Sequence, residues 1–160
     1  MIANDVLRSV RYMLDLSDAK VAEIIRLADP AAAVEKTDVQ AWLRKDEDEG
    51  HLACSDLVLA QFLDGLVIHC RGRNDALPPR PPEKRVTNNV VLKKLRVAFE
   101  MKDVDVQQAF AAAGRPLSKP ELSALFRQPG HANYRPCGDQ LLRYFLRGLT
   151  RHARGGPAPE

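Results

Sequence analysis

The stretches CSDLVLAQFLDGL (residues 54–66) and CGDQLLRYFLRGL (residues 137–149) share one pattern, Cys-[Ser/Gly]-Asp-x5-Phe-Leu-x-Gly-Leu. At the same offset of 83, Lys36, Ala41 and Arg44 meet Lys119, Ala124 and Arg127. Further upstream a two-residue indel changes the offset to 85. There Asn4, Val6, Leu7, Arg11, Asp18 and Val21 meet Asn89, Val91, Leu92, Arg96, Asp103 and Val106. Fifteen identities in one consistent register exceed what chance supplies, so the chain is a duplication. Between the copies, residues 71–87 (RGRNDALPPRPPEKRVT) hold four of the 11 prolines. Proline favours extended, semi-rigid backbone, which makes this stretch a spacer. The expected organisation is repeat one over 1–72, a proline-rich linker over 73–87, repeat two over 88–152 and a flexible tail over 153–160.

Each repeat reads as four helices. Asn4 and Asn89 stand where an N-cap is expected. Val6, Val10, Met13 and Leu14 then form an apolar stripe at helical spacing, repeated by Val91, Leu95, Ala98 and Phe99. Asp18 and Asp103 open second helices. Third helices are expected near Glu35–Arg44 and Ser118–Arg127, and fourth near Ser55–His69 and Gly138–His152. No alternating strand pattern stands out. The fold class is therefore all-α: two tandem homologous four-helix repeats, helix-turn-helix-like in order. Copies this small expose much surface for their volume, which favours packing as a pseudo-dimer.

The stretches LSKPELSALFRQPGHANYRPCGDQLLRYFLRGL (117–149) and CSDLVLAQFLDGLVIHCRG (54–72) resemble the YehS-like family, and the resemblance covers nearly the whole chain. It implies a bacterial protein with a duplicated helical domain of unknown function, and it transfers no activity. One departure lies within the chain: the loop of repeat one reads KDEDEGHLAC where repeat two has QPGHANYRPC.

Composition sets outer limits. Over 160 residues, 45% are hydrophobic and 28% charged, which is globular rather than disordered or collagenous. The odd count of three cysteines (Cys54, Cys70, Cys137), with no Cys-x-x-Cys, fits a reducing compartment. The start, MIAND, has neither a basic nor an apolar leader segment, and no run approaches the ~18 apolar residues of a membrane span. A cytoplasmic protein without membrane contact is expected.

The net charge of +3 conceals an asymmetry. Residues 1–80 hold 10 Lys and Arg against 14 Asp and Glu, a balance of −4; residues 81–160 hold 14 against 7, a balance of +7. Lys36, Gln40 and Arg44 share one face of the third helix, as do Lys119, Ser123 and Arg127. Such a face meets a groove or phosphates in helix-turn-helix proteins, and on most helices it is simply solvated. The run Asp46-Glu47-Asp48-Glu49 opposes phosphate binding by repeat one. Repeat two instead carries Arg127, His131 and Arg135 there, and its last helix adds Arg143, Arg147 and Arg151 beside Tyr144. The nucleic-acid-binding candidates are accordingly Lys119, Arg127, Arg135, Arg143, Arg147 and Arg151. The alternative is a protein-interaction adaptor or homodimer that uses the acidic and basic halves.

The repeated signature residues Cys54, Asp56, Cys137 and Asp139 admit two readings. A thiol at a helix start can be activated as a sensor or small enzyme. The adjacent carboxylates oppose this, and a packed cysteine beside a capping aspartate is the simpler account. His51-x-x-Cys54 and His69-Cys70 lack zinc-site spacing, so no metal is expected. Walker, Gly-x-Ser-x-Gly and His-Glu-x-x-His motifs are missing, so no catalytic residue and no cofactor is assigned. Trp42, matched by Leu125, reads as core.

Overall fold

The computed structural model describes residues 3–73 and 82–154. It divides into unit 1, Met1–Val86, and unit 2, Thr87–Glu160. Residues 74–81 of the expected linker and 155–160 of the expected tail lie outside the described residues. The described residues form helices and no strand.

Unit 1 contains α1 (Ala3–Leu14), α2 (Asp18–Ala28), α3 (Lys36–Leu43) and α4 (Asp56–Arg71). Unit 2 repeats the order with α5 (Asn88–Ala98), α6 (Asp103–Ala112), α7 (Lys119–Phe126) and α8 (Asp139–Arg154). The first helix of each unit stops in the same way. Asp15 and Glu100 adopt φ of 53° and 52°, and the next N–H reaches back to the carbonyl of Arg11 or Arg96 at 3.0 Å. The second helix follows within a few residues. Its first-turn acid pairs with that same arginine: Asp18 with Arg11 at 3.4 Å, Asp103 with Arg96 at 2.5 Å.

Ser17 caps α2 by accepting from the Lys20 N–H at 3.1 Å. At the matching position Lys102 has no acceptor, and Asp105 reaches back to its N–H at 2.8 Å instead. The tight connection falls between the first and second helices. The links preceding α3 and α7 cover residues 29–35 and 113–118, longer than the ~3–4-residue turn of a helix-turn-helix pair.

The core of each unit is built where its second helix packs on its fourth. The signature glycine sits at that crossing. A Cβ on Gly65 would stand 1.9 Å from the Ile24 carbonyl oxygen; one on Gly148 would stand 1.8 Å from that of Ala109. Only a residue without a side chain lets the backbones approach so closely. Phe62, Leu63 and Leu66 fill the space around the first crossing and Phe145, Leu146 and Leu149 the second, all buried. In unit 2 the rings of Phe110 and Phe145 meet at 5.2 Å between centroids. Trp42 is buried, as core.

One local expectation is corrected. Asn89 does not cap α5; Thr87 does, its hydroxyl accepting from the Val90 N–H at 3.2 Å. Asn4 likewise lies inside α1, which already includes Ala3. Both asparagine side chains turn towards the long loop before the fourth helix.

Candidate nucleic-acid interface

The third helices present the polar faces their spacing predicts. Lys36 and Gln40 are exposed on α3 and Lys119 and Ser123 on α7, with Arg44 and Arg127 exposed at the C-cap positions just beyond. The amino-terminal turn of α7 also carries a fixed negative charge. Ser118 and Glu121 form a reciprocal capping box, at 3.3 Å from the Glu121 N–H to Ser118 and 3.1 Å from the Ser118 N–H to Glu121. Those bonds with Ser118, helped by nearby Arg115 and Arg135, hold the Glu121 carboxyl below its ordinary range. Arg135 lies 3.7 Å from Glu121, so part of its charge is already answered.

Unit 1 ties down its acidic loop. Arg8 donates to the Arg44 carbonyl and, at 2.9 Å, to Asp46. His51 engages the Arg44 carbonyl through Nδ1 at 3.1 Å, with Nε2 3.6 Å from Asp46. Arg44 donates back to the Glu49 carbonyl at 3.4 Å. Its guanidinium thus faces a loop that would repel phosphate.

Arg143, Arg147 and Arg151 are exposed along α8 at steps of four residues. At 1.5 Å per residue the three span ~12 Å on one stripe. Arg154, overlooked in the sequence pattern, falls on the same stripe one turn further. The Arg147 guanidinium covers the Tyr144 ring at 5.7 Å. Arg151 donates to the Ala112 carbonyl at 2.6 Å, closing the end of α6. Unit 1 meets that last need from another sequence position: Arg73 donates to the matching carbonyl, Leu27, at 2.8 Å. The residues of α4 matching Arg143, Arg147 and Arg151 are Ala60, Asp64 and Ile68.

The repeated signature residues are tied into contacts of each unit. Cys54 and Cys137 are buried. Burial, with Asp56 adding to it, pushes the Cys54 thiol up to about 12. Burial pushes Cys137 up to about 11, with Arg135 easing it and Asp139 opposing that relief. Neither is the depressed thiol a sensor or nucleophile needs at neutral pH. Capping of α4 falls to Ser55, which accepts from the Val58 N–H at 3.2 Å. The Asp56 carboxylate instead accepts from the Val86 N–H at 3.1 Å, and Asp139 accepts from Asn88 at 2.8 Å. His51 has both ring nitrogens engaged, and no group of three or more His, Cys, Asp and Glu among the described residues is placed to hold a metal ion.

Sequence reasoning gave Asn4 and Asn89 the wrong role. Asn4 donates to the carbonyls of Trp42 and Leu52, both at 2.9 Å, and accepts from the Cys54 N–H at 2.9 Å. Asn89 repeats all three bonds, to Leu125 (2.9 Å), Arg135 (3.0 Å) and Cys137 (2.8 Å). One side chain per unit thus fixes both ends of the loop from the third helix to the fourth. In unit 2 that loop carries Arg127 and Arg135, and it leads into the α8 stripe.

The architecture defines a duplicated all-helical protein whose two four-helix units share the asparagine loop bonds, the arginine–aspartate pair and the glycine crossing, and differ in surface charge. The chain belongs to the family described as "Protein of unknown function (DUF1456)", which matches it twice, over residues 3–72 and 88–155. It is 44% identical over 158 residues to the uncharacterized protein YehS of Escherichia coli (strain K12), covering 98% of this chain and all of that protein. No solved structure matches the chain. Among the described residues no helix is long and apolar enough to cross a membrane.

Proposed function

We propose that this protein is a non-enzymatic binding module that contacts nucleic acid through the arginine stripe of α8. The duplication supplies the observation that carries this reading. Unit 1 builds the same fourth helix, with the same Phe, Leu and Gly at the crossing, from Ala60, Asp64 and Ile68. The fold therefore has no need of Arg143 and Arg147. Arg151 has a backbone-capping duty that Arg73 performs in unit 1. Two arginines that the architecture does not require, exposed on one stripe of a helix, are the best ligand-facing groups among the described residues. Lys119, Arg127 and Arg135 rank behind them: Lys119 and Arg127 have counterparts in unit 1, and Arg135 is paired with Glu121.

The three unpaired thiols support placing this activity in the cytoplasm. In this reading the domains are repeat one over 1–72, the spacer over 73–87, repeat two over 88–152 and the tail over 153–160.

An electrophoretic shift at low salt tests it. The native protein should retard both mixed-sequence duplex and single-stranded probes to some degree. The double variant Arg143→Glu/Arg147→Glu should bind at least about tenfold more weakly, with an unchanged helical circular-dichroism spectrum. No retardation by the native protein, or equal binding by the variant, rules the reading out.

A further inference from the structure

We infer, resting on the nucleic-acid reading above, that the ligand is a double-stranded nucleic acid held by its phosphates and not read for sequence. Three features of unit 2 lead there. The first is α7. In helix-turn-helix recognition the amino-terminal residues of the later helix approach the base edges. Here that turn holds the Glu121 carboxylate, locked by Ser118 and flanked by Arg115 and Arg135. A carboxylate fixed there repels phosphate locally and offers no donor to a base acceptor, although Arg135 at 3.7 Å offsets part of its charge.

The second feature is the aromatic rings. Single-strand binders stack bases on open rings. Among the described residues of unit 2 no Phe or Tyr side chain is fully exposed: Phe99, Phe126, Tyr134 and Tyr144 are half-buried. The Tyr144 ring lies under Arg147 at 5.7 Å and the Phe126 ring under Arg96 at 4.7 Å. Phe110 and Phe145 are buried in the core.

The third feature is the stripe itself. Successive guanidinium groups leave α8 every ~6 Å along a straight helix. A duplex presents about one phosphate charge per ~1.7 Å of its axis, roughly twice the linear density of one strand. A rigid row of three or four cations gains most from the denser polyanion. Arginine adds two-pronged hydrogen bonds to phosphate oxygens without regard to the base attached.

Fluorescence anisotropy with the intact protein separates this inference from the reading beneath it. The probes are DNA and RNA duplexes of about 20 base pairs, each in two unrelated sequences, with oligo-dT of equal length as the single strand. At least one duplex form should bind, its two sequences within about fivefold of one another, and oligo-dT at least about fivefold more weakly. Raising salt from about 50 to about 200 mM should cost roughly 40-fold, the slope of about −0.9 per phosphate expected for three contacts. Arg147→Gln should lower that slope by about one, to roughly a 12-fold loss. Oligo-dT bound as tightly as duplex, or a larger spread between sequences, overturns the inference and leaves nucleic-acid binding intact. No binding of any probe at low salt overturns both.

Discussion

Replacing Asn4 tests the central structural assignment, because two accounts of that residue predict different things. As a helix cap, Asn4→Asp would be neutral and Asn4→Ala would cost about 1 kcal/mol, since Asn and Asp cap equally well. As a loop staple, both changes are severe. Asn4 is 1% exposed, and its partners at Trp42 and Cys54 are 9% and 8% exposed. Removing the amide leaves the Trp42 carbonyl and the Cys54 N–H buried without partners, at about 1–3 kcal/mol each. Leu52 is 54% exposed, so water replaces the third bond at little cost. The total is about 2–6 kcal/mol, a large share of the ~5 kcal/mol that a small unit holds. Aspartate keeps the acceptor for the Cys54 N–H but sets a buried carboxylate against two carbonyl oxygens, so it should be no milder than alanine. Trp42 is the only tryptophan, and its fluorescence during urea unfolding reports on unit 1 directly. An Asn4→Asp protein within about 0.5 kcal/mol of the native one would refute the staple and restore the cap.

Other consequences are equally direct. Gly148→Ala places a methyl 1.8 Å from the Ala109 carbonyl oxygen, so α6 and α8 must separate. Unit 2 should lose about 3 kcal/mol or more, read as a lower thermal midpoint, whereas Gly138→Ala, whose Cβ meets nothing within 4 Å, should cost far less. The two buried thiols make stability fall in alkali. Their folded values, about 12 for Cys54 and about 11 for Cys137, lie above the unfolded value near 9, so the unfolded chain loses these protons first. The contribution is complete below pH 9 and is lost as pH rises towards 11 in unit 2 and 12 in unit 1. Each thiol should cost its unit about 1.4 kcal/mol per pH unit in that window. The difference between native protein and Cys137→Ala, followed by urea midpoint against pH, isolates the effect in unit 2; a difference independent of pH would contradict it.

Features governed by nearby residues were legible in the sequence. The third helices, expected near Glu35–Arg44 and Ser118–Arg127, form between Glu35 and Arg44 and between Ser118 and Arg127, which occupy their two cap positions. Periodicity and capping chemistry act within a turn or two, so a linear pattern suffices. The asparagines misled because their partners lie 38 to 50 residues away in unit 1. An Asn before an apolar stripe looks the same whether it caps its own helix or reaches across to a loop. The glycines gave a usable signal. A glycine inside a helix costs about 1 kcal/mol against alanine, so its presence in both copies calls for a packing reason, which the helix crossings supply. The capping of α2 by Arg73 and of α6 by Arg151 left no trace, since the two arginines reach matching carbonyls from unmatched sequence positions.

The duplication also directs where function should be sought. Positions that are alike in the two copies have duties within each unit: Asn4 and Asn89 fix the loop, Arg11 and Arg96 pair with Asp18 and Asp103, the cysteines pack, and the glycines admit a neighbouring backbone. Likeness at these positions is explained by folding and argues little for a site at the Cys-Asp signature. The copies also differ in the charge they carry along the fourth helix and in the loop before it. Ala60, Asp64 and Ile68 stand against Arg143, Arg147 and Arg151, and the pinned acidic loop of unit 1 stands against the basic loop of unit 2. Those differences account for much of the separation of charge between the halves. A binding activity carried by the signature would survive reversal of the arginines and fail on removal of Cys137. One carried by the stripe would do the opposite, and the two substitutions made in parallel decide between them.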